Sequence, residues 1–352
     1  MNVSSMVSRL REQAGYCRDL GSPFSEVLLE RVADDVVAKG PSLALLAPHV
    51  DDPGPSALGL RLMGSVHALV LAGRAPGPAR HYPSVGGDDD ADAAWTAVRA
   101  LLADYPDAVR ERLDRPPQTN EVGRSAALWG GVLQVLASLP TARPVRLWEL
   151  GASGGLNLRA DRFRYLADDG PGWGGSDAGV YLDGAWTTTP VGLPPSVEVV
   201  ERVGVDVLPV DPTTPDGALT LQAYVWPDQS TRLSRLRAAI DVAREVPADV
   251  RRGTALDLAR DLEPRDGALT VLWHSLMWQY VPRDEQQAVL AEIDRAGAAA
   301  TVSAPLAHVR FEPVRPESGG PHRFVCAVRT WPGGADRELG EAPPHGVPVT
   351  WS

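Results

Sequence analysis

The segment Val145 to Leu158, VRLWELGASGGLNL, constrains this chain most. A short apolar run ends in an acid, Glu149, and Gly151, Gly154 and Gly155 follow at once. An apolar run of this length, bounded by glycines, reads as a buried strand of a parallel sheet. Behind the turn the pattern predicts a helix over 157–165. Glycine lacks a Cβ, so the turn can take left-handed backbone and let another group approach closely. The start of a following helix would offer unbonded N–H groups and the positive end of its dipole to an anion. Two readings stand: a ligand-binding turn, or a strand-to-helix connection with a purely structural role. A phosphate loop is disfavoured because no Gly-Lys-Ser or Gly-Lys-Thr ends the turn. The Gly-x-Gly-x-x-Gly order of dinucleotide sites is absent too.

From about residue 143 onward, strand and helix signals alternate. Strands are predicted at 197–203, 269–273, 299–303 and 324–329, and Val250-Arg251-Arg252 leads into Gly253. Helices are predicted over 219–242, broken near Trp226-Pro227, and over 283–296. That alternation favours an α/β domain with a parallel sheet. The stretch 168–196, rich in Gly, Pro, Asp and Thr, reads as an irregular insertion with short strands. Residues 1–140 read as mostly helical. Phe24, Val27, Leu28 and Val32 recur at helical spacing, as do Leu58, Leu62, Val66, Leu69 and Val70, and then Trp95, Val98, Leu101 and Leu102. A fourth helix is predicted over 125–139, and Pro41, Pro48, Pro53 and Pro55 punctuate the joins. The expected organisation is a helical region, 1–140, and an α/β domain, 141–352.

Composition narrows the function classes. The 352 residues carry a formal net charge of −11, against the positive footprint that bulk nucleic-acid binding requires. No apolar run is long enough to span a membrane, and Met1 to Arg11 lacks the apolar core of a secretory signal. The two cysteines, Cys17 and Cys326, lie far apart and are expected as reduced thiols of a cytoplasmic protein. No Cys-x-x-Cys or paired-histidine motif suggests a metal site, and none is expected.

Several residues have side chains suited to a site. Glu149 sits at a strand end, where it can orient an amino group. Gly151, Ser153, Gly154 and Gly155 form the turn, and Asn157 can add an amide contact. Beyond the second predicted strand, Asp206 or Asp211 can hold ribose hydroxyls, as carboxylates there do in open α/β folds, or can cap turns. Thr254, in Gly253-Thr254-Ala255, can read a flat base or cap a helix. His274 follows an apolar strand in the run WHSLMWQYVP. Its ordinary pKa near neutrality suits a proton acceptor, though a buried core histidine is the alternative. Trp278, Gln279 and Tyr280 in that run can position a polar substrate. Asn120, Glu121 and Arg124 form a second polar group, in which Arg124 can clamp an acid or pair with Glu121. His67 reads as a core or interdomain hydrogen-bonding group, His81 can border a site, and His308 is less informative. The tail around His345 can fold back, anchored by Trp351.

The order Glu149-x-Gly151-x-x-x-Gly155 resembles the first motif of S-adenosylmethionine-dependent methyltransferases. Together, 118–125, 149–158, 225–229, 274–282 and Pro344-His345-Gly346 resemble an actinobacterial family of unknown function, DUF2332, over nearly the whole chain. The resemblance implies a Rossmann-like methyltransferase domain with a helical N-terminal lid or substrate region. It also implies S-adenosylmethionine as cofactor and a small-molecule acceptor. His274 is then the expected catalytic base. Asn120, Glu121, Arg124, Trp278, Gln279 and Tyr280 are expected at the substrate, and Glu149, Gly151, Ser153, Gly154, Gly155, Asn157, Asp206, Asp211 and Thr254 at the cofactor. Where the family pattern leads one to expect Gly-Asp-Ala, this chain has Gly253-Thr254-Ala255. A noncatalytic nucleotide-ligand-binding or regulatory protein on the same fold is the alternative, and a hydrolase or oxidoreductase a third.

Overall fold

A computed structural model describes residues 3–52, 57–315, 320 and 322–352. Pro53 and Pro55, two of the expected breaks, lie outside the described residues. The chain divides into two compact units, Met1–Thr119 with Thr214–Ser234, and Asn120–Thr213 with Arg235–Ser352. The sequence suggested one cut near residue 140. Instead the helical unit ends at Thr119 and takes in a second segment.

The helical unit is built on the three stripes read from the sequence. Helices Pro23–Val37, Leu58–Leu71 and Ala91–Asp104 bury Leu28, Val32, Leu62, Val66, Val98 and Leu102 in one core. Asp90 caps the last of these by accepting from Ala93 N (3.0 Å). The later segment is held by side chains that no local pattern reveals. Arg112 donates to Thr220 Oγ1 (2.7 Å) and Asp216 Oδ1 (2.5 Å). Asp228 accepts from Ser22 Oγ (2.5 Å) and Phe24 N (3.1 Å), and Trp226 enters the core. His67 bonds to Ala223 O (3.1 Å) and Ser84 Oγ (2.8 Å), so it is a core group of this unit. His81 pairs with Asp88 (2.8 Å).

The other unit holds two sheets. The strands in chain order are β1 Val145–Leu150, β2 Phe163–Ala167, β3 Gly170–Trp173, β4 Val180–Trp186, β5 Val199–Asp206, β6 Asp249–Arg252, β7 Leu269–Ser275, β8 Leu306–Val314, β9 Arg323–Trp331, β10 Ala335–Glu341 and β11 Thr350–Trp351. Among the described residues the large sheet has eight strands, in the order β11-β10-β9-β8-β7-β1-β5-β6. The five from β6 to β8 run parallel, and β9, β10 and β11 extend the sheet antiparallel. This is the α/β architecture with a mostly parallel sheet that the alternating signals favour. The helix Ser125–Ser138 is buried nearly all round and belongs to this unit: Cys326 Sγ donates to Ala127 O (3.3 Å), and Gly131 packs on Val309. Among the described residues, no helix is long and apolar enough to cross a membrane.

Two local expectations are overturned and one is adjusted. The helix predicted over 157–165 is a 3₁₀ segment, Leu156–Arg162, that runs straight into β2. Its backbone breaks from helical geometry at Arg159. The Arg159 side chain turns inward to donate to Gly155 O (2.6 Å) and Val246 O (2.9 Å). The expected insertion with short strands holds β3 and β4, which form a three-stranded sheet with β2, a strand that precedes its expected start at 168. The strand predicted at 299–303 is a helix end and a turn, closed by paired bonds between Thr301 and Ala304, and the strand starts at Leu306. The tail packs as expected. A Cβ on Gly130 would run into the Trp351 ring, which also meets Trp186 edge-on at 6.3 Å.

Candidate functional site

Numbered as parallel strands in chain order, the sheet runs 3-2-1-4-5. The chain leaves β1 toward β5 on one side and returns at β7 on the other. Where strand order reverses in this way, the connections diverge and a crevice opens at the carboxyl ends of the two central strands. Here those ends are Glu149 to Gly155 after β1, and His274 to Tyr280 after β7.

The turn after β1 is built by left-handed backbone. Gly151 and Gly155 have φ of +66° and +64°, and Ser153 has φ of +52°. Both glycines also permit close packing. A Cβ on Gly151 would lie 2.9 Å from Met277 Cβ, and one on Gly155 2.6 Å from Val250 Cγ2. Most of the turn's N–H groups are engaged. Ala152 N donates to Val205 O (2.9 Å), Ser153 N to Asp206 Oδ2 (2.8 Å), Gly155 N to Ala152 O (2.6 Å) and Leu156 N to Asn120 Oδ1 (3.0 Å). With a 3₁₀ segment behind it, the turn is therefore no free helix N-terminus.

Glu149 and Asn157 depart from these satisfied groups. Its side chain is buried, with 2 % exposure, and among the described residues its Oε2 has no hydrogen-bond partner. Burial pushes the carboxyl up to about 8, partly offset by the nearby Trp273 indole, whose Nε1 likewise lacks a partner of hydrogen-bond geometry among the described residues, and by the charges of Arg159 and Arg124. The Asp206 charge pushes it further up. Asn157 is also buried. Its Nδ2 donates to Glu121 O (3.4 Å), and its Oδ1 has no partner among the described residues.

His274 lies on the opposite face of the sheet. Register pairs Trp148 with Leu272 and Glu149 with Trp273. Paired positions of parallel strands share a face and successive residues alternate. Glu149 and Trp273 therefore face one side, where Trp129 meets Trp273 edge-on at 6.4 Å. Trp148, Leu150, Leu272 and His274 face the other, over a core that includes Leu258, Val289 and Ile293. Here His274 Nδ1 lies within hydrogen-bonding distance of Glu312 Oε1 (2.7 Å). The same oxygen accepts from Met277 N (3.2 Å) and Trp278 N (3.4 Å). Trp278 stacks on the imidazole, with centroids 5.0 Å apart and planes 19° apart, and His308 lies 5.1 Å away. Burial, with nearby His274, Arg310 and Arg329 adding to it, holds His308 well below the ordinary histidine range.

The other predicted residues divide. The Arg124 charge acts on both Glu149 and the Tyr280 phenol, and the Glu312 charge reaches that phenol too. Arg124 also donates to Pro344 O (3.1 Å), which ties the tail to this region. Asn120 and Glu121 are buried and brace backbone, the latter accepting from Gly123 N (3.0 Å). Asp206 uses both oxygens on backbone, Oδ2 on Ser153 N and Oδ1 on Leu208 N (2.9 Å). Asp211 is exposed and accepts from Thr213 N and Oγ1 (2.9 and 2.6 Å). Thr254 and Asp257 form a reciprocal cap on the helix Ala255–Arg260. Gln279 is exposed. The sequence reading missed Glu312, His308 as its neighbour, and Met277. Its one available signal was polar residues at alternate positions, His308, Arg310 and Glu312, along an otherwise apolar strand.

The sequence model of one family, described as an uncharacterized protein conserved in bacteria (DUF2332), matches residues 7–351. The chain belongs to that family. No curated protein matches it.

Proposed function

We propose that this DUF2332 member transfers a methyl group from S-adenosylmethionine to a small molecule. The observation that carries the reading is Glu149: a buried carboxyl with an unpartnered oxygen, at the end of the central strand where strand order reverses. A buried polar atom without a partner costs about 1–3 kcal/mol, so an acid there is explained best by a ligand that completes it.

The residues fit such a donor at its amino-acid end. Glu149 would take the ammonium group, with Asn157 Oδ1 as a second acceptor. At the nucleoside end the fit is narrower. Asp206 would meet ribose hydroxyls only through the lone pairs left by Ser153 N and Leu208 N. Thr254 is committed to its helix cap. Bound there, the donor supplies an activated methyl group on a cationic sulfur. The chain's own part is to orient the acceptor through Arg124 and Tyr280, exclude water, and accept a proton at His274. A second reading, a noncatalytic ligand-binding protein, is favoured by one observation: the open sides of Gly151 and Gly155 are filled by Met277 and Val250.

Calorimetric titration with S-adenosylmethionine and S-adenosylhomocysteine tests the proposal. Saturable binding is expected, weakened about 10- to 100-fold by Glu149→Gln, the loss of one charge-assisted hydrogen bond. A carboxyl held near 8 must ionise to meet an ammonium, so binding at pH 7 should release most of a proton and at pH 9 almost none. Buffers of different ionisation enthalpy read that proton. No binding of either ligand to folded protein overturns the proposal, and binding without turnover on any acceptor favours the second reading.

A further inference from the structure

We infer that Glu312 is the positioning residue of a histidine base: it fixes His274 with its proton on Nδ1 and presents Nε2 to a substrate hydroxyl or ring N–H. The inference rests on the reading of His274 as the proton acceptor and extends it to a residue far along the chain and to the class of acceptor.

The geometry decides the direction of the bond. Glu312 Oε1 already accepts two backbone N–H groups, those of Met277 and Trp278. An oxygen collecting two donors is an acceptor to its third partner as well, so the 2.7 Å contact carries the proton on His274 Nδ1. A neutral imidazole holds one N–H, so Nε2 keeps its lone pair. That atom is buried and has no partner among the described residues. The stacked Trp278 ring limits rotation of the imidazole about its own bond to the chain. Glu312 is itself fixed: Leu276 N donates to Phe311 O (3.1 Å), so the backbone next to the carboxylate and the backbone it grips are tied together. A carboxylate that orients a histidine and faces its developing charge is the arrangement by which hydrolytic triads set the tautomer of their base.

An acceptor with no proton to lose needs no such base. The pair therefore points to a hydroxyl or a ring N–H. Its O–H or N–H bond breaks, the proton passes to His274 Nε2, and the electron pair stays on the acceptor atom. That pair forms the bond to the methyl carbon as the carbon–sulfur bond breaks, with the sulfur keeping the latter pair. The imidazolium so formed keeps its Nδ1–H on the Glu312 carboxylate.

Nitrogen-15 spectra of the histidine-labelled, ligand-free protein test this without any donor or acceptor, with His274 assigned through its contacts to the Trp278 ring. The neutral ring is expected with Nδ1 protonated and Nε2 bare. Glu312→Leu should redistribute the proton toward Nε2 and lower turnover about 100-fold. Glu312→Gln keeps an acceptor oxygen, so it should keep the wild-type tautomer and recover part of the rate. A wild-type ring protonated on Nε2 overturns the inference. So does a tautomer that Glu312→Leu leaves unchanged, and if that variant fails to fold, the wild-type and Glu312→Gln spectra still decide. Absent binding of S-adenosylmethionine would instead sink the methyl-transfer reading and leave the tautomer result standing.

Discussion

The turns after β1 and β7 solve one backbone problem in two ways. Each carries a non-glycine residue in left-handed conformation, Ser153 and Leu276, both at φ of +52°. Each is braced by a carboxylate from a neighbouring strand, Asp206 at the end of β5 and Glu312 on β8. The first turn relieves strain with glycine on either side of Ser153, and its brace touches only backbone. The second has no glycine, and its brace also meets His274 Nδ1 at 2.7 Å. In the first, the acid that matters is the strand-end Glu149, which the brace leaves unpartnered. In the second, the brace is itself part of the candidate chemistry.

The comparison breaks most sharply at Gly151. A valine there must hold φ near +66° and place its Cβ against Met277. The two costs, about 1–2 kcal/mol for left-handed backbone and about 1–3 for overpacking, sum to roughly 4 kcal/mol. Thermal unfolding should shift down by about 10 °C. In the second turn the reverse exchange, Leu276→Gly, should change stability by less than about 1 kcal/mol, because relief of strain is offset by glycine's extra chain entropy. A Gly151→Val variant as stable as wild type would show that the first turn does not need its glycine.

Glu149 separates the turns by pH. Its carboxyl is held near 8 when folded, against the ordinary carboxylate value when unfolded. Between those values the folded state binds more protons than the unfolded, so stability is full at low pH and is lost as pH rises through this window. By pH 7 the loss is about 3 kcal/mol. Glu149→Gln, which cannot ionise, should therefore be more stable than wild type by about that amount at pH 7 to 8, and no more stable near pH 4. Denaturant midpoints across this range read the difference. A variant that gains no stability at pH 8 would mean that Glu149 is satisfied inside the protein and awaits no ligand.

What the sequence made legible follows the same division. The first turn is continuous in sequence: acid, glycines and Asn157 lie within nine positions, and a strand end with glycines is a local signal. The apolar stripes of the helical unit are legible for the same reason, since periodicity is local. The second turn depends on Glu312, 38 residues beyond His274, and only the pairing of β7 with β8 brings them together. With a strand expected at 299–303, no register could put Glu312 beside His274. The helix expected over 157–165 failed for a related reason: the bonds of Asn157 to Glu121 O and of Arg159 to Val246 O are tertiary, and they outweigh local propensity. That Asp206 and Thr254 cap turns was already one of the two readings open for each.

The finest test of the comparison asks which oxygens do the bracing. Asp206 uses both, one for Ser153 N and one for Leu208 N. An asparagine keeps a single acceptor oxygen and turns an NH₂ toward the other N–H. One part-buried backbone donor then loses its partner, and Asp206→Asn should cost about 2 kcal/mol. Glu312 collects all three of its donors on Oε1, while Oε2 has no partner among the described residues. A glutamine can leave its carbonyl oxygen in that place, so Glu312→Gln should cost under about 1 kcal/mol, chiefly the weakening of charge-assisted bonds to neutral ones. Chemical denaturation of the two variants side by side checks the order. Equal losses would mean that charge, which both substitutions remove, braces the turns, and that the placement of individual oxygens does not distinguish them.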